Sequence, residues 1–262
     1  MTTTVHCVLC GPRPHRALRD GAVHQCASCG LGRTSPDLPV REGRVGSVDA
    51  PRHRYAAARR LRWIRAAARP ATLLEAGCAE GFLVAAARRA GIDARGVDPS
   101  DAAVRYARET LGVPVLHGAF EAAAPSVGPV DAVCAFGVLE HVAHPRTFLT
   151  AARAALVPGG RLFLEVPNAA SAAAQRPDGD PRVRHRWHFT PWSLVELLID
   201  LGFRVETYDT VFARYYRRPL PRLRRARELV LADTLAARSP RISHPRLGDL
   251  LRLVARRPDD MP

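Results

Sequence analysis

The chain has no lysine: all 39 of its basic residues are arginine. Together with its alanine runs, this points to a coding bias more than to selection for guanidinium chemistry. No stretch approaches the ~20 continuous apolar residues of a membrane-spanning helix, which argues against a membrane protein of helical type. The N-terminus lacks the apolar core of a secretory signal, so a cytoplasmic location is expected. No internal repeat is present. With six cysteines in a reducing compartment, a disulfide framework is disfavoured against metal binding or buried thiols.

What is present suffices for a packed core: 262 residues, 47% of them hydrophobic, fit one α/β domain with a small appendage. The net charge of +14 is uneven. Residues 1–70 hold 13 Arg against 4 acids, and residues 217–262 hold 12 against 5, while the middle is nearly neutral. Basic ends suit nucleic acid, phosphorylated substrates or acidic protein surfaces, although solvated arginine-rich faces explain them as well.

Four cysteines dominate the first 37 residues. Cys7-Val8-Leu9-Cys10-Gly11 and Cys26-Ala27-Ser28-Cys29-Gly30 are two knuckles of one form. Each two-residue spacer lets a turn's two thiolates converge on one ion, and the following glycine frees the backbone to fold round the sulfurs. The pair supplies a closed tetrahedral set for structural zinc. His6, His15 and His24 lie nearby, but the cysteines already complete the coordination. Cys78 and Cys134 fall in strand-and-turn segments and read as small buried residues.

A polar linker over residues 38–54 follows, and Tyr55 to Ala68 reads as a basic amphipathic helix. From Thr72 short apolar runs alternate with helical stretches. Strands are expected at Thr72–Ala76, Ala94–Asp98, Val113–His117, Asp131–Phe136, Arg161–Val166 and Phe203–Thr210, with a final one at Asp249–Ala255. Helices are expected at Glu80–Ala90, Ser100–Leu111, Pro145–Leu156 and Pro191–Gly202. Such alternation makes parallel βαβ units in a doubly wound sheet. Residues 169–184 read as a loop of the kind that covers an active site. A basic helical insert is expected at about 217–246.

Leu73-Leu74-Glu75-Ala76-Gly77-Cys78-Ala79-Glu80-Gly81 runs from a strand through a small-residue turn into a helix, and a second strand ends in Asp98. Small residues let the backbone approach a ligand closely, and an acid there accepts hydrogen bonds from ribose hydroxyls. A nicotinamide fingerprint wants three glycines in a six-residue span, and only Gly77 and Gly81 are available. That reading is disfavoured.

The segments EAGCAEG, GVDPS, VDAVCAFGVLEHVAHP, LVPGGRLFLEVPN and HRWHFTPWSLVELLIDLGF together resemble the motifs of class I S-adenosylmethionine-dependent methyltransferases over roughly residues 55–210. The cysteine leader resembles the zinc ribbon on a bacterial subgroup that includes enzymes acting on sugars and natural products. The resemblance implies a Rossmann-like, mostly parallel, seven-stranded sheet. It also implies S-adenosylmethionine contacts by Tyr55, Glu75, Gly77, Cys78, Ala79, Gly81, Asp98, Pro99 and Phe136. Two positions depart from the family: Ala79 stands where glycine is usual, and Ala119 where many members carry an acid for the adenine amine. Adenine packing then falls to backbone groups and Phe120.

By the same resemblance, Glu140 and His141 face the cofactor's methionine end. Glu140 either caps the local turn or takes part in the chemistry, and His141 either walls the pocket or serves as general base. His188 is the competing base, or else it fixes the loop. Tyr55 closes over the cofactor or packs its helix, and Trp187 and Trp192 are pocket wall or core. The implied reaction is methyl transfer to a small molecule of natural-product or sugar type. An RNA acceptor bound by the ribbon and basic surface is the alternative, against which stands the absence of an asparagine-proline-proline-aromatic motif. A catalytically idle scaffold is disfavoured by Glu75, Gly77 and Asp98 occurring together.

Overall fold

The computed structural model describes residues 2–18, 21–36, 38, 49–171, 174, 185–211 and 248–259. The basic insert at 217–246, and all but a few residues of the expected covering loop, lie outside that set.

The N-terminal segment, which shows little periodicity in sequence, forms four short strands: β1 (Thr2–Cys7), β2 (Gly11–Leu18), β3 (Val23–Cys26) and β4 (Gly32–Thr34). They make an antiparallel meander whose turns carry the cysteine knuckles. Helix α1 (Ala50–Ala67) then begins five residues before the expected Tyr55. The side chain of Asp49 accepts a hydrogen bond from the Arg52 backbone N–H, and Pro51 sits in the first turn, where its missing N–H costs nothing. Ala57, Leu61 and Ile64 form its buried stripe at helical spacing.

Seven strands build the main sheet: β5 (Thr72–Ala76), β6 (Asp93–Asp98), β7 (Val115–His117), β8 (Val130–Phe136), β9 (Leu156–Pro167), β11 (Arg204–Val211) and β12 (Leu250–Arg256). Their order is β11-β12-β9-β8-β5-β6-β7, and β12 is antiparallel to both neighbours while the rest run parallel. The Rossmann-like, doubly wound expectation holds. The final strand differs from a simple edge addition, because it inserts between β9 and β11. Helices α2 (Phe82–Arg89), α3 (Asp101–Glu109), α4 (Phe120–Ala123), α5 (Pro145–Ala154) and α6 (Pro191–Asp200) complete the units.

Strand alternation splits the core into two layers. Leu73 and Phe163 join Ile64, Val84 and Val104 under α1–α3. Leu74, Leu162 and Leu164 join Phe148, Leu194 and Phe189 under α5 and α6. The second layer is continuous with Cys7, Cys26, Cys29 and Leu31 of the N-terminal module, so that module shares the core of the main domain. A two-residue strand, β10 (Trp187–His188), adds to the open edge of β4, pairing Trp187 with Arg33 and His188 with Gly32. The Thr34 N–H donates to the Arg186 carbonyl at 3.0 Å, and Arg146 Nε to the Val8 carbonyl at 2.7 Å. Among the described residues no helix is long and apolar enough to cross a membrane.

Candidate functional site

After β5 the chain runs out to β6 and β7, then returns to pair β8 on β5's other side. The crevice at the carboxyl ends of β5 and β8 is therefore the topological switch point, where open α/β sheets take ligands. Gly77, Ala79 and Gly81 all lie there with positive φ, at 64°, 46° and 77°. A Cβ on Gly77 would run into the side chain of Val138, so the turn after β5 touches the turn after β8. Ala79 occupies a left-handed conformation without being glycine, which gives the family's preference at this position its physical reason. Cys78 turns its sulfur toward Gly96 beneath the turn, and its backbone N–H donates to the Val97 carbonyl at 3.1 Å. Burial pushes the thiols of Cys78 and Cys134 well up, so neither is a ready nucleophile.

Asp98, 8% exposed, ties the turn together. Its Oδ2 accepts from the Ala79 N–H at 2.8 Å and its Oδ1 from the Ser100 N–H at 2.9 Å. Each oxygen keeps a further lone pair for a ribose hydroxyl. Pro99 is exposed beside it, and its carbonyl lies 3.0 Å from the His117 ring. The Phe120 ring is spent on the core, 4.9 Å from Phe148. Phe136 is sandwiched by α1, with the Arg60 guanidinium 4.9 Å from its centroid and Trp63 at 5.9 Å. Tyr55 is half-buried on α1. Two residues before it, His53 stacks on Phe82 at 5.3 Å, over the start of α2.

Besides Asp98 and Glu80, three more carboxylates are buried at this edge of the sheet: Glu75 on β5, Glu165 on β9, and Glu140 in the turn after β8. Arg60 of α1 forms an ion pair with Glu165. Burial pushes both Glu75 and Glu140 up to about 8, only partly offset by the Arg60 charge. Sequence reasoning missed Arg60 and Glu165. The arginine sits among ten others in the first 62 residues, and nothing in its spacing marks it.

The structure brings together Glu140, His141 and His185, with one ligand-type atom of each lying within 4.8 Å of the others. His141 and His185 meet edge-on at 5.0 Å, and His188 lies 6.4 Å beyond. The hydroxyl of Thr34 donates to the His185 carbonyl at 2.5 Å and lies 3.0 Å from His188 Nε2. Because that hydroxyl has one proton, Nε2 of His188 is the donor to it. His188 thereby fixes the segment to the N-terminal module, the positioning alternative given above. Trp187 is core, its indole donating to the Val142 carbonyl at 2.9 Å, whereas Trp192 is 62% exposed.

Cys7, Cys10, Cys26 and Cys29 place their sulfurs within 4.8 Å of one another. Cys7 and Cys29 are 3.6 Å apart, far beyond a disulfide, and all four are free thiols. The Cys29 thiol, donating to Cys7, holds Cys7 well below the ordinary thiol range. Four convergent soft donors, one poised as thiolate, fit tetrahedral zinc.

The chain belongs to the methyltransferase-domain family, which it matches over residues 49–208. Over 122 residues it is 34% identical to the ubiquinone biosynthesis O-methyltransferase of Xanthomonas axonopodis pv. citri, covering 44% of this chain and 51% of that protein. Over 118 residues it is 33% identical to the protein of that name in Bordetella avium, covering 42% and 49%. The chain thus spans about half the length of the curated relatives it matches. An S-adenosylmethionine-dependent methyltransferase of Thermotoga maritima superposes with a TM-score of 0.57 at 18% identity, covering 79% of this chain and 91% of that one. One from Archaeoglobus fulgidus gives 0.55 at 18%, covering 78% and 94%. These structures share the fold.

Two stability measurements test this geometry. Ala79→Gly relieves a left-handed residue that costs roughly 1–2 kcal/mol against the ~0.5–1 kcal/mol entropy cost of glycine. A net gain of ~0.5–1 kcal/mol is expected in denaturant unfolding; a loss would contradict the turn. Glu75, with its folded value near 8 against an ordinary 4.5, keeps a proton that the unfolded chain releases. Its contribution to stability is full below pH 4.5 and falls as pH rises to about 8. Glu75→Gln should flatten that part of the profile and be the more stable protein at pH 9. Parallel profiles would show that the carboxyl is not buried as described.

Proposed function

We propose that the chain transfers the methyl group of S-adenosylmethionine to a hydroxyl oxygen of a small molecule of natural-product or sugar type, in the cytoplasm. The observation that carries this reading is the contact between the two turns: Gly77 lies against Val138, two residues from Glu140 and three from His141. Cofactor-side backbone and acceptor-side titratable groups thus share one crevice. The names of the curated relatives support oxygen as the methylated atom.

S-adenosylmethionine supplies a methyl group activated on a sulfonium. What remains for the chain is alignment and one proton. In this reading Gly77, Cys78 and Ala79 present backbone to the cofactor and Asp98 accepts from the ribose. Glu75 lies beneath the turn and shapes it. Glu140, His141 and His185 face the acceptor, and His141, the exposed member, takes the hydroxyl proton. Zinc on Cys7, Cys10, Cys26 and Cys29 is structural, since four protein ligands leave no open position.

His141→Ala should leave S-adenosylhomocysteine affinity nearly intact by calorimetry and lower turnover roughly 10²–10⁴-fold. Unchanged turnover would remove the proton role, and label transfer into RNA alone would move the acceptor class to RNA. For the cysteines, metal analysis should find one zinc per chain, and the Cys26→Ser, Cys29→Ser variant none. Because structural zinc contributes folding free energy outright, that variant should lose hydrogen-exchange protection across the β4–β10 pair. Zinc-free protein with that pair still protected would refute the assignment.

A further inference from the structure

We propose that a cavity at the amino ends of β6 and β7 is a second binding site, for a small phosphorylated molecule whose phosphate is held by Arg88, Arg95 and Arg108. It lies at the opposite end of the sheet from the crevice, so it stands apart from the methyl-transfer reading. Asp98, at the carboxyl end of β6, is ~10 Å along the strand from Arg95.

The cavity has a volume of about 460 Å³, within the ~300–1,000 Å³ of small-molecule sites. Three arginines reach it from three elements: Arg88 from the last turn of α2, Arg95 from β6, and Arg108 from the last turn of α3. One carboxylate, Asp93, stands among them. Three guanidinium charges against one carboxylate leave a net +2, which a phosphate dianion would balance. Val115, Leu116 and Val127 supply an apolar wall, suited to a ligand with a body behind its anionic head.

The three guanidinium groups are only partly engaged. Arg88 Nη1 donates to Asp93 Oδ1 at 3.0 Å and to the Ala94 carbonyl at 3.3 Å. Arg95 Nη2 is 3.7 Å from Asp93 Oδ2, too long for a hydrogen bond. Arg108 donates through Nε to the Val115 carbonyl at 2.9 Å and makes no ion pair among the described residues. Each guanidinium carries five N–H donors in a fork that matches phosphate oxygens. Two of the three are thus anchored to backbone carbonyls with donors to spare, and a ligand would find them already placed.

Helix dipoles alone would account for Arg88 and Arg108, since cations suit the last turn of a helix. They do not account for Arg95, which is a strand residue. Asp93, Arg95 and Val97 share one face of β6, and on that face Val97 is core, with Leu116 and Val127 packed against the same cluster. Arg95 therefore carries its charge to the rim of an apolar layer, where the one carboxylate near it is shared with Arg88.

The test reads binding of inorganic pyrophosphate to the full-length protein by calorimetry, at fixed ionic strength, with and without saturating S-adenosylhomocysteine. One pyrophosphate per chain should bind, with the same affinity in both conditions. Arg95→Gln and Arg108→Gln should each weaken it ~10-fold or more, the loss of a charge-assisted contact. Asp93→Asn removes the anion that competes for Arg88 and Arg95, and should tighten binding, a gain that a damaged fold would not produce. Arg62→Gln, at an exposed arginine of α1 outside the cavity, should change nothing. The site is overturned by an absence of saturable uptake, by uptake at several equal sites, or by displacement with S-adenosylhomocysteine. An equal loss in Arg62→Gln, full binding in both Arg95→Gln and Arg108→Gln, or failure of Asp93→Asn to tighten binding overturns it as well.

Discussion

The carboxyl edge of the sheet concentrates carboxyl groups out of water, where burial favours their protonated form, and one guanidinium makes this tolerable. Glu75, Glu140 and Glu165 end or follow three adjacent strands, each at most 6% exposed. Arg60 pairs with Glu165 and lowers the proton affinity of the other two. Removing one partner of a buried pair costs ~3–5 kcal/mol, so helix α1 is bound to the sheet by more than its apolar stripe. The Arg60 guanidinium also lies over Phe136, and Arg252 of β12 reaches back over Trp63 of the same helix at 4.9 Å. Helix α1 thus closes the crevice electrostatically, and the family match fittingly begins at residue 49, where that helix is capped.

The N-terminal module answers to a second constraint. A short sheet with an exposed edge invites pairing, and β4 satisfies its edge with β10, which lies between His185 and the N-cap of α6. Core residues of the module are continuous with the main domain through Leu31 and Trp187. Metal on the cysteines would therefore stabilise more than its own knuckles: it holds Thr34, Thr34 holds His185, and His185 faces Glu140 and His141.

Much of this was legible in the sequence because local chemistry dictated it. The β5 strand falls at Thr72–Ala76 as its apolar run predicts, and Asp98 ends β6 as the spacing from the turn requires. Paired knuckles announced the converging sulfurs. What stayed hidden depends on long-range pairing. Strand β10 is two residues long and has no period to detect. Arg60 is one arginine among many until the fold aims it at Glu165. Helix α1 started earlier than expected because the Asp49–Pro51 signal was absorbed into a linker. The left-handed backbone at Ala79 was foreshadowed only as a departure from a glycine, and its conformational reason needed φ.

The histidines show how one proton can fix a hydrogen-bond direction that sequence cannot. From sequence, His141 is the expected base and His188 its competitor, with fixing the loop as the other reading of His188. Thr34 gives His188 a positioning contact, because its single hydroxyl proton goes to the His185 carbonyl at 2.5 Å and its oxygen must then accept from His188. A neutral His188 is thereby driven toward the tautomer protonated on Nε2, with that nitrogen engaged in joining the module to the main domain. His141 is exposed at the crevice, its Nε2 3.9 Å from Glu140 Oε1.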